Sequence, residues 1–208
     1  MKAILKTLLF LLTMVIFSQC EKENPQVTIP DNNFLNTLIE LGIDTNGDGV
    51  ISPAEAEVII SLDVSSDSIS DMTGIEKFIN LDTLECSGNQ LTTLDVSNNN
   101  ALRKLLCYGS QLTSLNVSKN IELTWLGCGS NRLTTIDVSN NIALLRLFCS
   151  YNQLTTLDVS NNTALSRLYL KDMPSLYKVC VWEMPFPPAG VDVDTTDSPN
   201  VYFTTDCN

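Results

Sequence analysis

The chain has 208 residues, enough for one domain with flanking segments, and it carries 24 acidic against 12 basic side chains, a net charge of −12, with no histidine. Such acidity does not suit a nucleic-acid partner, whose phosphates must be neutralised; it suits Ca2+ or another cation, or serves solubility alone. The missing histidine excludes Ser-His-Asp and Cys-His nucleophile systems and most zinc sites.

Residues 1–19 read as a secretion signal, with Lys2 and Lys6 ahead of an apolar run from Leu8 to Phe17 that is too short to span a bilayer comfortably. Phe17-Ser18-Gln19-Cys20 resembles a bacterial lipobox, which implies that Cys20 becomes the lipidated first residue of the exported chain. Gln19 departs from that pattern, which has a small residue at this place, and a cleaved signal without lipidation is the alternative. Glu21-Lys22-Glu23 resembles the sorting signal that sends some lipoproteins to the outer face of the outer membrane. Residues 20–30 are polar, hold two prolines, and are expected to form a tether.

Residues 31–58 form the next unit. Asp31 can cap a helix whose Phe34, Leu35, Leu38 and Ile39 share one face, and Gly42 ends it. The run from Asp44 to Glu55 then matches a calcium-binding EF-hand loop. Asp44, Asn46 and Asp48 supply side-chain oxygens at loop positions 1, 3 and 5, Val50 its carbonyl at 7, Ser52 a direct or water-borne ligand at 9, and Glu55 two oxygens at 12. Gly49 permits the sharp turn, and Ile51 is the usual apolar residue after it. Ser52-Pro53-Ala54-Glu55 is also a capping box for a second helix, so Glu55 has two competing duties. The alternative is an EF-hand shape that has lost its ion, but the donor set is complete. A single loop, unlike the paired loops of sensors, fits a structural staple.

From residue 59 a repeat takes over. Cys86, Cys107, Cys128 and Cys149 stand 21 residues apart, within the pattern that reads Leu81, Leu84, Cys86, Asn89, Leu91, Leu94, Val96, Asn99 in its first full copy. An earlier coil is carried by Ile59, Leu62, Val64, Asp67 and Ile69, 22 residues ahead. A fixed period of this size means a solenoid. The copies resemble the short leucine-rich repeats of internalin-type bacterial surface proteins, as does the segment from Ile69 to Asn80. The resemblance implies an α/β fold, β-rich with few helices. Its core is a leucine-rich-repeat solenoid with a parallel sheet over residues 59–170, the helical EF-hand-like unit capping its open end. Leu84, Cys86, Leu91, Leu94, Val96 and their copies point inward. Val64 and Leu170 close the cysteine column at its two ends, so the column is expected to be reduced apolar filling; neighbours one strand apart are poorly placed for disulfides. The asparagine columns, Asn99-Asn120-Asn141-Asn162 and Asn89-Asn131-Asn152 with Ser110 interrupting, are expected to satisfy turn backbone groups. Leu-Asp-Val-Ser segments should make a second narrow strand or an irregular turn on the opposite side.

Outward positions need not follow the repeat, and on one face they gather Leu106, Tyr108, Trp125, Phe148, Tyr151 and Tyr169 with Arg103, Lys104, Arg146, Arg167 and Lys171. Such clusters mark interaction surfaces, although stacked aromatics can also merely brace a sheet. Lys104, Trp125, Arg146, Phe148, Arg167 and Tyr169 are the candidate partner-binding residues. Beyond residue 170 the pattern lapses at Lys171-Asp172-Met173-Pro174, and residues 171–208 are expected to form a C-terminal cap closed by a disulfide between the leftover Cys180 and Cys207. The acids Asp95, Asp137 and Asp158 recur with the repeat, which argues against a unique catalytic carboxylate pair. These readings point to a calcium-stabilised, lipid-anchored protein of the outer membrane or cell surface. It is expected to be a monomer, to bind a protein partner and to have no catalytic activity; the alternative is a surface glycan-binding lipoprotein.

Overall fold

The computed structural model describes residues 25–207; the expected secretion signal, the expected lipidation site Cys20 and the first part of the expected tether lie outside them. Val27 and Ile29, within the span expected to be a tether, are instead docked. The Val27 N–H donates to the Ile51 carbonyl at 2.7 Å, and both side chains close over Gly74, where φ is 107° and a Cβ would stand 2.7 Å from Ile29 Cγ1. Helix α1 (Asn32–Glu40) starts at Asp31, whose Oδ1 accepts from the N–H groups of Asn33 and Phe34. Phe34 and Leu38, one turn apart, are its buried face. Helix α2 (Pro53–Glu57) is a single turn or so, opened by the Ser52–Glu55 capping box. It leads straight into the solenoid.

The solenoid is built from three-residue strands: β1 (Ser61–Asp63), β2 (Thr83–Glu85), β3 (Lys104–Leu106), β4 (Trp125–Gly127), β5 (Arg146–Phe148), β6 (Thr156–Asp158), β7 (Arg167–Tyr169), β8 (Lys178–Cys180), β9 (Asp192–Asp194) and β10 (Tyr202–Thr204). One seven-stranded parallel sheet runs β1-β2-β3-β4-β5-β7-β9, in register Leu62, Leu84, Leu105, Leu126, Leu147, Leu168, Val193. In the first six of these strands a buried leucine points into the coil, and in β9 the partly buried Val193 takes its place. The opposite side realises both expected outcomes. Its last coils form a three-stranded parallel sheet, β6-β8-β10, while the earlier Leu-Asp-Val-Ser copies stay irregular and hold Asx turns such as Ser97 N–H to Asp95 Oδ1 at 2.9 Å. The pattern lapse at Lys171 does not stop the coiling. Met173, Leu176, Val179 and Val181 take inward places, β9 extends the large sheet, and the Cys180–Cys207 disulfide, Cα atoms 5.5 Å apart, ties β8 to the chain after β10.

Cys86, Cys107, Cys128 and Cys149 are free thiols with no solvent exposure. Burial pushes the thiols of Cys86 and Cys128 up to about 12, and those of Cys107 and Cys149 well above the ordinary cysteine range. Thiolate chemistry is thereby suppressed, and the column is packing. Beside it, each asparagine of the Asn89 column bridges two coils. Asn131 Oδ1 accepts from the Leu112 N–H at 3.0 Å, and its Nδ2 donates to the carbonyls of Cys107 and Cys128 at 2.9 and 3.0 Å. In the other column Asn120 Nδ2 donates to Val96 and Asn99 carbonyls, both at 2.9 Å, and the copies repeat this. These buried asparagines are structural: the Asn89 column bonds both ends of its amides, while the Asn99 column uses Nδ2 and leaves Oδ1 without a partner.

Candidate ion loop and binding face

The loop from Asp44 to Glu55 is drawn together by its own backbone. Asp44 Oδ1 accepts from the Gly47 and Asp48 N–H groups at 2.8 and 3.2 Å, and its Oδ2 from the Gly49 N–H at 2.9 Å. Asn46 Oδ1 accepts from the Asp48 N–H, and Asp48 Oδ1 from the Val50 N–H, at 2.8 and 3.1 Å. Gly49, φ 82°, makes the turn expected of it. At the far end Glu55 is buried and fully engaged: Oε1 accepts from the Thr45 N–H and hydroxyl at 2.8 and 2.7 Å, Oε2 from the Ser52 N–H and hydroxyl at 2.9 and 2.8 Å. The Ser52 and Thr45 bonds hold its carboxyl down at about 2, so it is an anion at any physiological pH.

This donor set is all oxygen, as a hard cation requires. Among the described residues one trio of His, Cys, Asp or Glu ligand atoms lies within 4.8 Å of one another, Asp158 with Cys180 and Cys207, and the disulfide spends both sulfurs. Asp44, Asp48 and Glu55 do not form such a trio. Full closure needs Glu55 to turn partly away from its capping partners.

The face of the seven-stranded sheet carries the second candidate site. Alternation along each strand sends the buried leucine inward and its two neighbours out. Parallel register then stacks Lys104, Trp125, Arg146 and Arg167 in one row, and Leu106, Gly127, Phe148 and Tyr169 in the next. All six residues expected at a partner site are thus brought onto one surface. Trp125 lies between two cations, Lys104 Nζ 4.7 Å and Arg146 Cζ 4.8 Å from its ring centre. Phe148 meets Trp125 edge-on at 6.0 Å and stacks on Tyr169 at 4.4 Å with 10° between planes. Lys104 is also paired with Glu85, and the Tyr169 hydroxyl donates to Asp192 Oδ2 at 2.8 Å. The row is braced internally and still half exposed.

Three features of this face were not readable from the repeat. Tyr108 does not project outward but lies across Gly127 and Gly129, where missing side chains leave a trough in the next coil. Burial there drives its hydroxyl above the ordinary tyrosine range. The Trp125 indole N–H is buried beside it without a hydrogen bond of full geometry. Asp192 and Asp194 of β9 continue the two rows with acids, which follows from the coiling past Lys171. Finally Tyr151 adopts φ 58° at a turn position where earlier coils have Gly88 and Gly109, a strained choice for a bulky side chain.

The fold is an internalin-like leucine-rich-repeat solenoid, as comparison with listerial internalins shows. The functional domain of InlJ from Listeria monocytogenes, which includes a cysteine ladder, superposes with a TM-score of 0.68 at 33% identity, covering 86% of this chain and 46% of that one. In sequence, internalin J of Listeria monocytogenes serotype 4b (strain F2365) is 43% identical over 70 residues, 34% of this chain and 8% of that protein. The internalin InlF of Listeria monocytogenes strain 4b F2365 shares the fold at 19% identity, TM-score 0.60, over 84% of this chain and 55% of that one. The chain thus spans about half, or less, of the relatives it matches. No family model matches it.

Proposed function

We propose that the chain is an exported, lipid-anchored recognition protein that binds another protein through the outer face of its seven-stranded sheet and performs no catalysis. The observation carrying this reading is the half-exposed row of Lys104, Trp125, Arg146, Phe148, Arg167 and Tyr169, an aromatic and cationic surface on a protein of net charge −12. Aromatic and arginine anchors of this kind supply most of the energy of protein interfaces. A sugar-binding reading is less favoured by the ring contacts, because Trp125 is flanked by two cations and Phe148 is stacked on Tyr169, leaving little free ring face for a pyranose. The test is capture from host or neighbouring-cell extracts in parallel with a glycan array, with Trp125→Ala/Phe148→Ala as control. Protein capture abolished by the double variant supports the reading; binding to glycans alone sinks it.

The same reading gives Ca2+ a structural role in the N-terminal cap, held by Asp44, Asn46, Asp48, the Val50 carbonyl, Ser52 and Glu55. An extracellular module of this type binds with a Kd on the order of 10⁻⁴–10⁻³ M. At about 10 mM Ca2+ the linkage is worth about 1–3 kcal/mol. Calorimetry is expected to show Tm rising with Ca2+ in the wild-type chain and not in Glu55→Gln. No shift in the wild type would remove the staple.

A further inference from the structure

Charge is not spread evenly over the outer face of the seven-stranded sheet. Its rows begin with acids, Asp63 on β1 and Glu85 on β2, and end with acids, Asp192 and Asp194 on β9. Between them, from β3 to β7, the charged side chains of the strands are all basic: Lys104, Arg146 and Arg167. This band is about 14 Å across at the usual spacing between strands.

The three cations are not equivalent. Lys104 is already neutralised by Glu85 on the next strand. Arg146 lies on the Trp125 ring and Arg167 is exposed; among the described residues neither is ion-paired. The acid in register with Arg167 is Asp192, and its Oδ2 is engaged elsewhere, accepting from the Tyr169 hydroxyl at 2.8 Å. Asp194 Oδ1 likewise accepts from the Thr196 N–H, at 2.9 Å. Arg146 and Arg167 therefore stand side by side on paired strands, each with a planar fork of donors suited to a carboxylate. Two residues further along the same strands, Phe148 and Tyr169 stack 4.4 Å apart. What fills this place carries a carboxylate over the arginines and an apolar group against the ring pair, about 7 Å away. An extended peptide sets such groups two residues apart, and a helix three or four apart.

The acids at the ends of the rows say what does not fit. A polyanion of uniform charge laid across the strands runs onto Asp192 and Asp194 on one side or Glu85 and Asp63 on the other. The net charge of −12 repels it at long range as well. A short acidic stretch within a protein surface meets neither obstacle. We infer, on the partner-binding reading above, that the partner protein docks an acidic segment here, with an Asp or Glu carboxylate between Arg146 and Arg167 and a neighbouring apolar side chain on Phe148 and Tyr169.

The test is selection of a random peptide library, displayed on phage, on the purified chain. Recovered peptides are expected to carry Asp or Glu close to an aromatic or aliphatic residue. The affinity of a synthetic copy should fall at least about tenfold in Arg146→Gln/Arg167→Gln, and by a similar factor when its own acids are changed to amides. Both variant and wild type should melt alike, since these arginines lie outside the core. Selection on Arg146→Glu/Arg167→Glu should return Lys or Arg where the wild type returned acids. Peptides that are lost in Trp125→Ala/Phe148→Ala but are neutral or basic leave the binding face standing and overturn the acidic segment. So does heparin or single-stranded DNA that binds more tightly than the peptides through the same two arginines. A library that yields no peptide dependent on Trp125 and Phe148 removes the face as a binding site, and with it both readings.

Discussion

Single side chains in this protein are judged by what their column requires. The Asn89 column shows the requirement most clearly at its one gap. Ser110 reaches only the Asn89 carbonyl, at 3.3 Å, and among the described residues no side-chain oxygen serves the Leu91 N–H as Asn131 serves that of Leu112. Ser110→Asn is therefore expected to stabilise the fold by about 1 kcal/mol, read by urea denaturation. An unchanged midpoint would show that the turn tolerates the gap. Asp31 does double duty: Oδ1 caps α1, while Oδ2 accepts from the Ser70 N–H and hydroxyl and the Asp71 N–H at 2.8, 2.7 and 3.1 Å. Burial works to raise its pKa, but the bonds from Ser70, Phe34 and Asp71 outweigh it and bring the group from 3.8 to about 2. A depressed carboxyl stabilises the fold fully above its unfolded pKa and loses that contribution as pH falls toward the folded value. Tm should thus drop between about pH 4 and pH 2, and Asp31→Asn should flatten part of that drop while lowering Tm at neutral pH.

At the scale of elements, what a reader of the sequence can see is what repeats. The cysteine period located the strands, and the strands located Trp125, Phe148 and Tyr169 on one face. Two kinds of element escaped. After Leu170 the inward places are taken by Met173, Leu176, Val179 and Val181 at new spacings, and a proline-bearing excursion separates β8 from β9, so periodicity carries no signal although the pairing continues. Tyr108 escaped for a different reason: its place depends on the two glycines of the following coil, a relation between neighbours that a single repeat does not contain. A methyl group at Gly127 would overlap the Tyr108 ring. Gly127→Ala is expected to cost about 1–3 kcal/mol by overpacking. Gly127→Ala/Tyr108→Ser should recover most of that loss, a coupling that a double-mutant cycle measures directly. Independent, additive effects would mean that the ring is not seated in the trough.

For the whole molecule, stability in a solenoid is a sum over coils and the contacts between neighbours, with the ends most exposed to fraying. The described chain guards both. At one end Val27, α1 and the loop beside α2 close over Gly74 and the first coil; at the other, β10 is bound to β8 through Cys180 and Cys207. Between these ends the interior is uniform, since four coils place the same thiol at the same depth.

That uniformity has a consequence for how the chain comes to be made. Six cysteines follow Cys20, and six thiols allow about 15 fully paired arrangements. The native state uses a single bridge and holds the other four as buried free thiols. In an oxidising compartment the coils must stack before an oxidant finds them, because sealing the ladder from solvent is what withdraws its thiols from exchange. Valine throughout the ladder, at Cys86, Cys107, Cys128 and Cys149, is accordingly expected to change native stability by only about 1 kcal/mol per site and to raise the yield of monodisperse product on refolding under air. An equal yield would show that coil stacking already wins the race against oxidation.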